Sequence, residues 1–279
     1  MLRLGRLLAR PYAPLLISAA VLYGLLHGAR QLSTTKSGGE PSSRYPVDPA
    51  YRFSVDPSVP PPSWGLNIVA FSGALTAPSG ASALRDAYAA WAPRAASALA
   101  GTGAFVYPFS ALHVTLSNPA PSTHAGHGAW GDAEKRALAG AWAGALAPCA
   151  PRAPFPLVFQ RPRLGPGGVG LFEVEDPTGA VRRARECVAN LRAGSAALTH
   201  LGKTPDIVHA TVMRFAAPRA EGVGDAEVEA RWAAAAAAWA GGITVISDGF
   251  FLVRGNEVAA LTEADPWRAV EGRYHPAAG

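Results

Sequence analysis

Leu112-His113-Val114-Thr115-Leu116 is echoed ninety-six positions later by Val208-His209-Ala210-Thr211-Val212. Each copy sets a histidine two residues before a threonine inside a run of apolar, β-prone residues. Successive side chains of a strand point to opposite faces. Leu112, Val114 and Leu116 therefore back the first copy while His113 and Thr115 share its other face. Val208, Ala210 and Val212 do the same behind His209 and Thr211. One such stripe is common, but two with matching residue types and spacing read as a duplicated half-site.

The surrounding composition bounds what that site can belong to. The chain has 279 residues, enough for one large or two small domains, and 49% of them are hydrophobic. Its formal net charge of +5 is localised. Residues 1–44 hold Arg3, Arg6, Arg10, Arg30, Lys36 and Arg44 against Glu40 alone, and the remaining 19 basic residues are matched by 19 acidic ones. A long nucleic-acid surface needs uncompensated basic residues to displace counterions, so none is expected of the neutral body. Two cysteines, Cys149 and Cys187, cannot supply a zinc or iron–sulfur site. They either pair, if the body faces an oxidising compartment, or stay as two buried thiols.

No charged residue lies between Arg10 and Arg30, and Tyr12 to Leu26 is almost wholly apolar. That is the short end of what spans a bilayer. Residues 1–32 are read as a single-pass signal anchor, an N-terminal hydrophobic helix whose preceding Arg3, Arg6 and Arg10 keep the N-terminus cytoplasmic. A cleaved secretory peptide and an organellar targeting peptide are the alternatives. Residues 33–62, rich in Ser, Gly and Pro, read as a linker. The folded domain is expected over 63–265, with a tail at 266–279.

Within the domain, strands and helices alternate. Strands are predicted at 64–71, 105–107, 112–117, 157–163, 169–175, 207–215, 243–246, 250–254 and 257–261. Helices are predicted at 79–100 (kinked or divided at Pro93), from a cap at Asp132 to Leu146, at 178–198 and at 225–239. Gly165 to Gly168 is the turn of a hairpin, and Gly255-Asn256 another. The class is α/β or α+β. Two similar halves, each with one H-x-T strand, suggest a two-lobed body around a cleft.

Histidine titrates near neutral pH, and a threonine two residues on offers a hydroxyl on the same face. Two such strands side by side would hold a phosphate between two imidazoles. The hydroxyls would bind non-bridging oxygens, one histidine would act as base and the other as acid. At these residues the sequence resembles the two-histidine phosphoesterase superfamily, which includes RNA 2′,3′-cyclic phosphodiesterases and ligase-like tRNA enzymes. The resemblance covers roughly residues 64–265. It implies an α+β, bilobal, pseudo-twofold fold with two antiparallel-rich sheets flanking a central cleft. It also implies His113 and His209 as the acid–base pair, and Thr115 and Thr211 as phosphate ligands. The expected activity is metal-independent, cofactor-free hydrolysis of a cyclic phosphodiester, either a 2′,3′-cyclic nucleotide or a short RNA end, by a monomer tethered to a membrane. RNA end ligation, another phosphoester hydrolysis and a non-catalytic nucleotide-binding module are the competing readings.

Other residues carry less. Arg214, three positions past Thr211, either reaches the substrate phosphate or closes its strand. His124 and His127 form H-x-x-H in a loop with no carboxylate or cysteine partner nearby in sequence, and His200 and His275 stand alone. Gly165 to Gly170 lacks the lysine and hydroxyl of a phosphate loop, and Ser195 lacks a nucleophile-elbow context. Tyr107, Phe109, Phe172 and Phe215 could stack a base or fill the core.

Overall fold

In a computed structural model, the described residues are 43–56, 58–59, 64–76, 78–121, 130–198, 202, 204–254 and 270–276. The expected N-terminal hydrophobic helix, His124, His127, His200, the strand expected at 257–261 and its Gly255-Asn256 turn lie outside them. No helix of the described residues is long and apolar enough to cross a membrane.

The fold is α+β, built on a curled antiparallel sheet. Its strands are β1 (Leu66–Ser72), β2 (Ala104–Val106), β3 (His113–Ala120), β4 (Phe155–Leu164), β5 (Gly170–Glu175), β6 (His209–Phe215), β7 (Ile243–Ser247), β8 (Phe250–Arg254) and β9 (Val270–Tyr274). They run in the order β7-β4-β5-β6-β3-β1-β8-β9, and β2 also pairs with β6. Among the described residues, the expectation of two separate sheets is thus replaced by one nine-stranded sheet. β6 and β3, the two H-x-T strands, meet at its centre.

Among the described residues, four helices bury one face: α1 (Pro78–Ala98), α2 (Asp132–Ala145), α3 (Ala180–Gly194) and α4 (Asp225–Ala237). α1 packs on β7 and α4, and α4 reaches β4; α2 packs on β8 and β9, and α3 on β3. The buried stripe Val181, Ala184 and Val188 of α3 follows the expected helical spacing. In α1, Leu84, Tyr88, Trp91 and Ala95 are buried on both sides of Pro93. That packing carries the helix through the proline, which costs one backbone hydrogen bond without dividing it. Gly131, rather than Asp132, caps α2. The Glu134 carboxylate accepts the Gly131 N–H at 2.8 Å, and Asp132 falls in the first turn, where a negative charge suits the helix dipole. Gly167 and Gly168, both at positive φ, form the β4–β5 turn.

The core runs continuously beneath the sheet. Leu112, Val114, Leu116, Ala210 and Val212 are all fully buried there, as the alternation of the two motifs requires. Phe172, Phe215 and Tyr107, offered above as possible base-stacking residues, are buried too; Phe172 lies 4.5 Å from Trp239 between ring centroids. Phe109 is half-buried against Phe71 and Tyr88. Tyr88 donates its hydroxyl to the Tyr107 carbonyl at 2.7 Å.

Two further features depart from the sequence reading, and a third decides between alternatives it left open. Residues 43–56, taken as linker, lie on the body. Tyr45 stacks on Phe215, the Asp48 N–H donates to the Phe215 carbonyl, and Pro49–Ser54 forms a short 3-10 turn that buries Tyr51. Val270–Tyr274, taken as tail, forms the edge strand β9. Cys149 and Cys187 form a disulfide that links the turn after α2 to α3.

Candidate active site

β3 and β6 are antiparallel and share the pair Val114–Ala210. Continuing that register by one residue each way sets His113 opposite Thr211 and Thr115 opposite His209. In such a ladder, directly opposed side chains share a face, and diagonal neighbours stand about 7–8 Å apart. The four polar residues are therefore related two by two about a single backbone pair, on the face away from the core. On the Thr211 side of that pair, β2 and the Tyr107 N–H take over the edge of β6.

The two histidines are held alike. His113 Nδ1 lies 2.9 Å from the Ala111 carbonyl, and His209 Nδ1 lies 3.3 Å from the Ile207 carbonyl. A carbonyl only accepts, so each Nδ1 carries the hydrogen and Nε2 is the nitrogen able to exchange a proton. His113 is 5% exposed, whereas His209, Thr115 and Thr211 are half-buried. Burial holds His209 below the ordinary histidine range; the Ile207 contact opposes that shift, and the nearby charges of His113, Arg185 and Arg214 reinforce it.

The loop that orients His113 is itself fixed by a close approach. Gly73 N–H donates to the Leu112 carbonyl at 2.8 Å, and a Cβ at Gly73 would overlap the carbonyl of Phe109. Ala111 packs with Tyr51 and Tyr107, so the 43–56 segment backs the carbonyl that receives His113.

Arg214 is half-buried and engaged from that same segment. Its Nη1 lies 3.2 Å from Asp48 Oδ2, and its guanidinium lies 4.3 Å over the Tyr51 ring.

Two residues of the site escaped the sequence reading. Ser117, two positions past Thr115, is buried, with its Oγ 3.4 Å from Thr204 Oγ1. A register shift between Thr115 and Ser117 sets it opposite Ile68 of the core, so alternation from His113 does not reach it. Arg185, on α3, donates through Nη2 to the Thr115 carbonyl at 2.9 Å and to the Ile207 carbonyl at 3.1 Å. Nothing in its local sequence separates it from Arg182, Arg183 and Arg192 on the same helix.

The described residues contain no group of three or more His, Cys, Asp or Glu placed to hold a metal ion. A cavity of about 830 Å³ opens between α2 and α3, lined by Ala141, Arg183, Cys187, Leu191 and Leu198 among others, and none of the four H-x-T residues borders it.

No protein-family profile matches the chain, and no curated protein matches it in sequence. Among solved structures it is similar to the crystal structure of TT0787 of Thermus thermophilus, at 19% identity and a TM-score of 0.39, over 68% of this chain and 87% of that one.

Proposed function

We propose that this chain is a two-histidine phosphoesterase that hydrolyses a cyclic phosphodiester, a 2′,3′-cyclic nucleotide or an RNA end carrying one. The observation that carries the reading is the relation of His113-Thr115 to His209-Thr211 about the Val114–Ala210 pair, with both Nδ1 atoms occupied by carbonyls. A phosphate between the two Nε2 atoms would take hydrogen bonds from both threonine hydroxyls. The histidine that arrives neutral removes a proton from water as it attacks phosphorus, and the protonated one delivers a proton to the departing sugar oxygen. Each turnover exchanges the two protonation states, and proton exchange with solvent restores them before the next. Burial and three neighbouring charges disfavour a proton on His209, which suits it to be the base.

The sheet order supports a pseudo-twofold reading. Outward from the central pair, β6-β5-β4-β7 mirrors β3-β1-β8-β9, each set under two helices. The two sets would form the two lobes beside the cleft. The chain would work as a monomer, tethered to a membrane by residues 1–32. Its disulfide suits a body held in an oxidising compartment.

The test is hydrolysis of 2′,3′-cyclic nucleotides and of RNA 2′,3′-cyclic ends by the full-length chain, with and without chelator. The expected result is chelator-insensitive turnover that falls about 10²–10⁴-fold in His113→Ala and in His209→Ala. Tight binding without turnover would make the protein a binding module instead, and loss of turnover with chelator would refute the metal-independent mechanism. Membrane fractionation tests the tether: a fully soluble, uncleaved full-length chain would overturn it.

A further inference from the structure

β3 and β6 share one backbone pair, and a single guanidinium lies just beyond it. Arg185 Nη2 bridges the carbonyl of Thr115, in the first half-site, and that of Ile207, at the entry to the second. The Ile207 carbonyl is also the one that receives His209 Nδ1, so it serves two donors, at 3.1 Å and 3.3 Å. His113 meets its own carbonyl, Ala111, at the shorter distance of 2.9 Å. The supports of the two histidines are therefore unequal although their motifs match.

We propose that Arg185 is a positioning residue: it spans the two half-site strands and, by sharing the Ile207 carbonyl, keeps His209 the proton-accepting member of the pair. The inference rests on the acid–base reading given above. An imidazolium donates more strongly through Nδ1–H than a neutral ring does, so its stability depends on a carbonyl free to accept. A carbonyl already polarised by a guanidinium gives less of that support. The charge of Arg185 acts in the same direction.

The other charged groups around His209 are His113 from β3, Arg214 from its own strand and Glu173, its cross-strand partner on β5. Glu173 is exposed and pairs with Arg163 at 3.3 Å. Asp176 and Asp206 act on Arg185 and favour its charge against the cost of burial. The arginine thus stays a cation while lying half-buried beside the site.

The test reads His209 directly, by NMR titration of the full-length chain labelled at histidine Cε1, with the resonances assigned through His113→Gln and His209→Gln. In Arg185→Gln the His209 titration should move up by about half to one pH unit, and the acid limb of kcat/KM should move with it. Arg185→Lys keeps the charge, but its nitrogen ends one bond nearer the backbone than Nη2, which alone makes both carbonyl contacts, so it falls short of the bridge. It should leave the titration near its original position, while kcat falls about 10-fold with little change in KM. If Arg185→Gln does not fold, the lysine variant decides, because an unchanged kcat there overturns the bridging role. A His209 titration that stays put in folded Arg185→Gln overturns the electrostatic role. Turnover by the unaltered chain with no movement of His209 in Arg185→Gln would refute this inference and leave the phosphodiesterase standing. Movement of His209 without turnover on any cyclic phosphodiester would support the coupling and refute the phosphodiesterase.

Discussion

Replacing both cysteines by serine should remove a large share of the stability of the folded body. Cys149 and Cys187 close a loop of 38 residues in sequence separation. Chain-entropy bookkeeping assigns a loop of that length about 4 kcal/mol at room temperature, lost when the unfolded chain regains its freedom. The bond joins the turn after α2 to the middle of α3, so its loss also loosens the helix that carries Arg185. For a denaturation slope near the upper end for small proteins, about 3 kcal/mol per molar urea, the midpoint should fall by roughly 1.3 M. Tryptophan fluorescence can follow the transition in the full-length chain, with intact mass under non-reducing conditions verifying the bond in the unaltered protein. Unaltered protein kept in reductant should reach the midpoint of Cys149→Ser/Cys187→Ser. A shift below about 0.3 M, with the bond verified, would refute the loop-closure reasoning.

Other expectations follow from the packing and the site. Gly73→Ala should destabilise the fold by about 1–3 kcal/mol, because the new methyl meets the Phe109 carbonyl, and should lower activity through the Ala111 carbonyl that holds His113; thermal unfolding and turnover check both. Tyr88→Phe removes the buried hydrogen bond to the Tyr107 carbonyl, and thermal unfolding should report a loss of about 1–2 kcal/mol; a neutral result would show that the carbonyl finds another donor. His209 is held below the ordinary histidine value, so between its folded value and about 6.5 the unfolded chain binds more protons and stability rises with pH. Unfolding midpoints should therefore drop as pH is lowered through that window, and His209→Gln should remove this component; a slope of the opposite sign would contradict the assignment. Asp48→Asn breaks a partly exposed pair with Arg214 and should cost under about 1 kcal/mol in a urea midpoint.

The H-x-T strands were legible because two constraints act on the same residues. Alternation buries Val114 and Ala210, and the same alternation fixes the face of His113, Thr115, His209 and Thr211. The apolar stripes of α1 and α3 were legible for a similar reason. What joins the two strands was not, since a junction of one backbone pair leaves no local pattern in either segment. Arg185 acts through tertiary contacts on backbone atoms, and its helix offers four arginines of similar appearance. Residues 43–56 read as linker because the 33–62 stretch around them is rich in Ser, Gly and Pro, yet Tyr45 and Tyr51 anchor them to Phe215 and Arg214. β9 carries an alternation, with Val270, Gly272 and Tyr274 inward and Glu271 and Arg273 exposed, but it spans only five residues, and Tyr274 is the one buried residue among them, so the signal is weak.

The strand order also dictates when the site can exist during synthesis. β4, β5, β6 and β7 are contiguous in the chain from Phe155 to Ser247 and can pair as soon as they emerge. β1 and β3 emerge earlier, but β8 and β9, which complete their side of the sheet, are separated from them by that whole block. The half of the sheet that holds His113 therefore stays unfinished at its outer edge until residues near 274 leave the ribosome. The histidine synthesised first stands in the half of the sheet completed last.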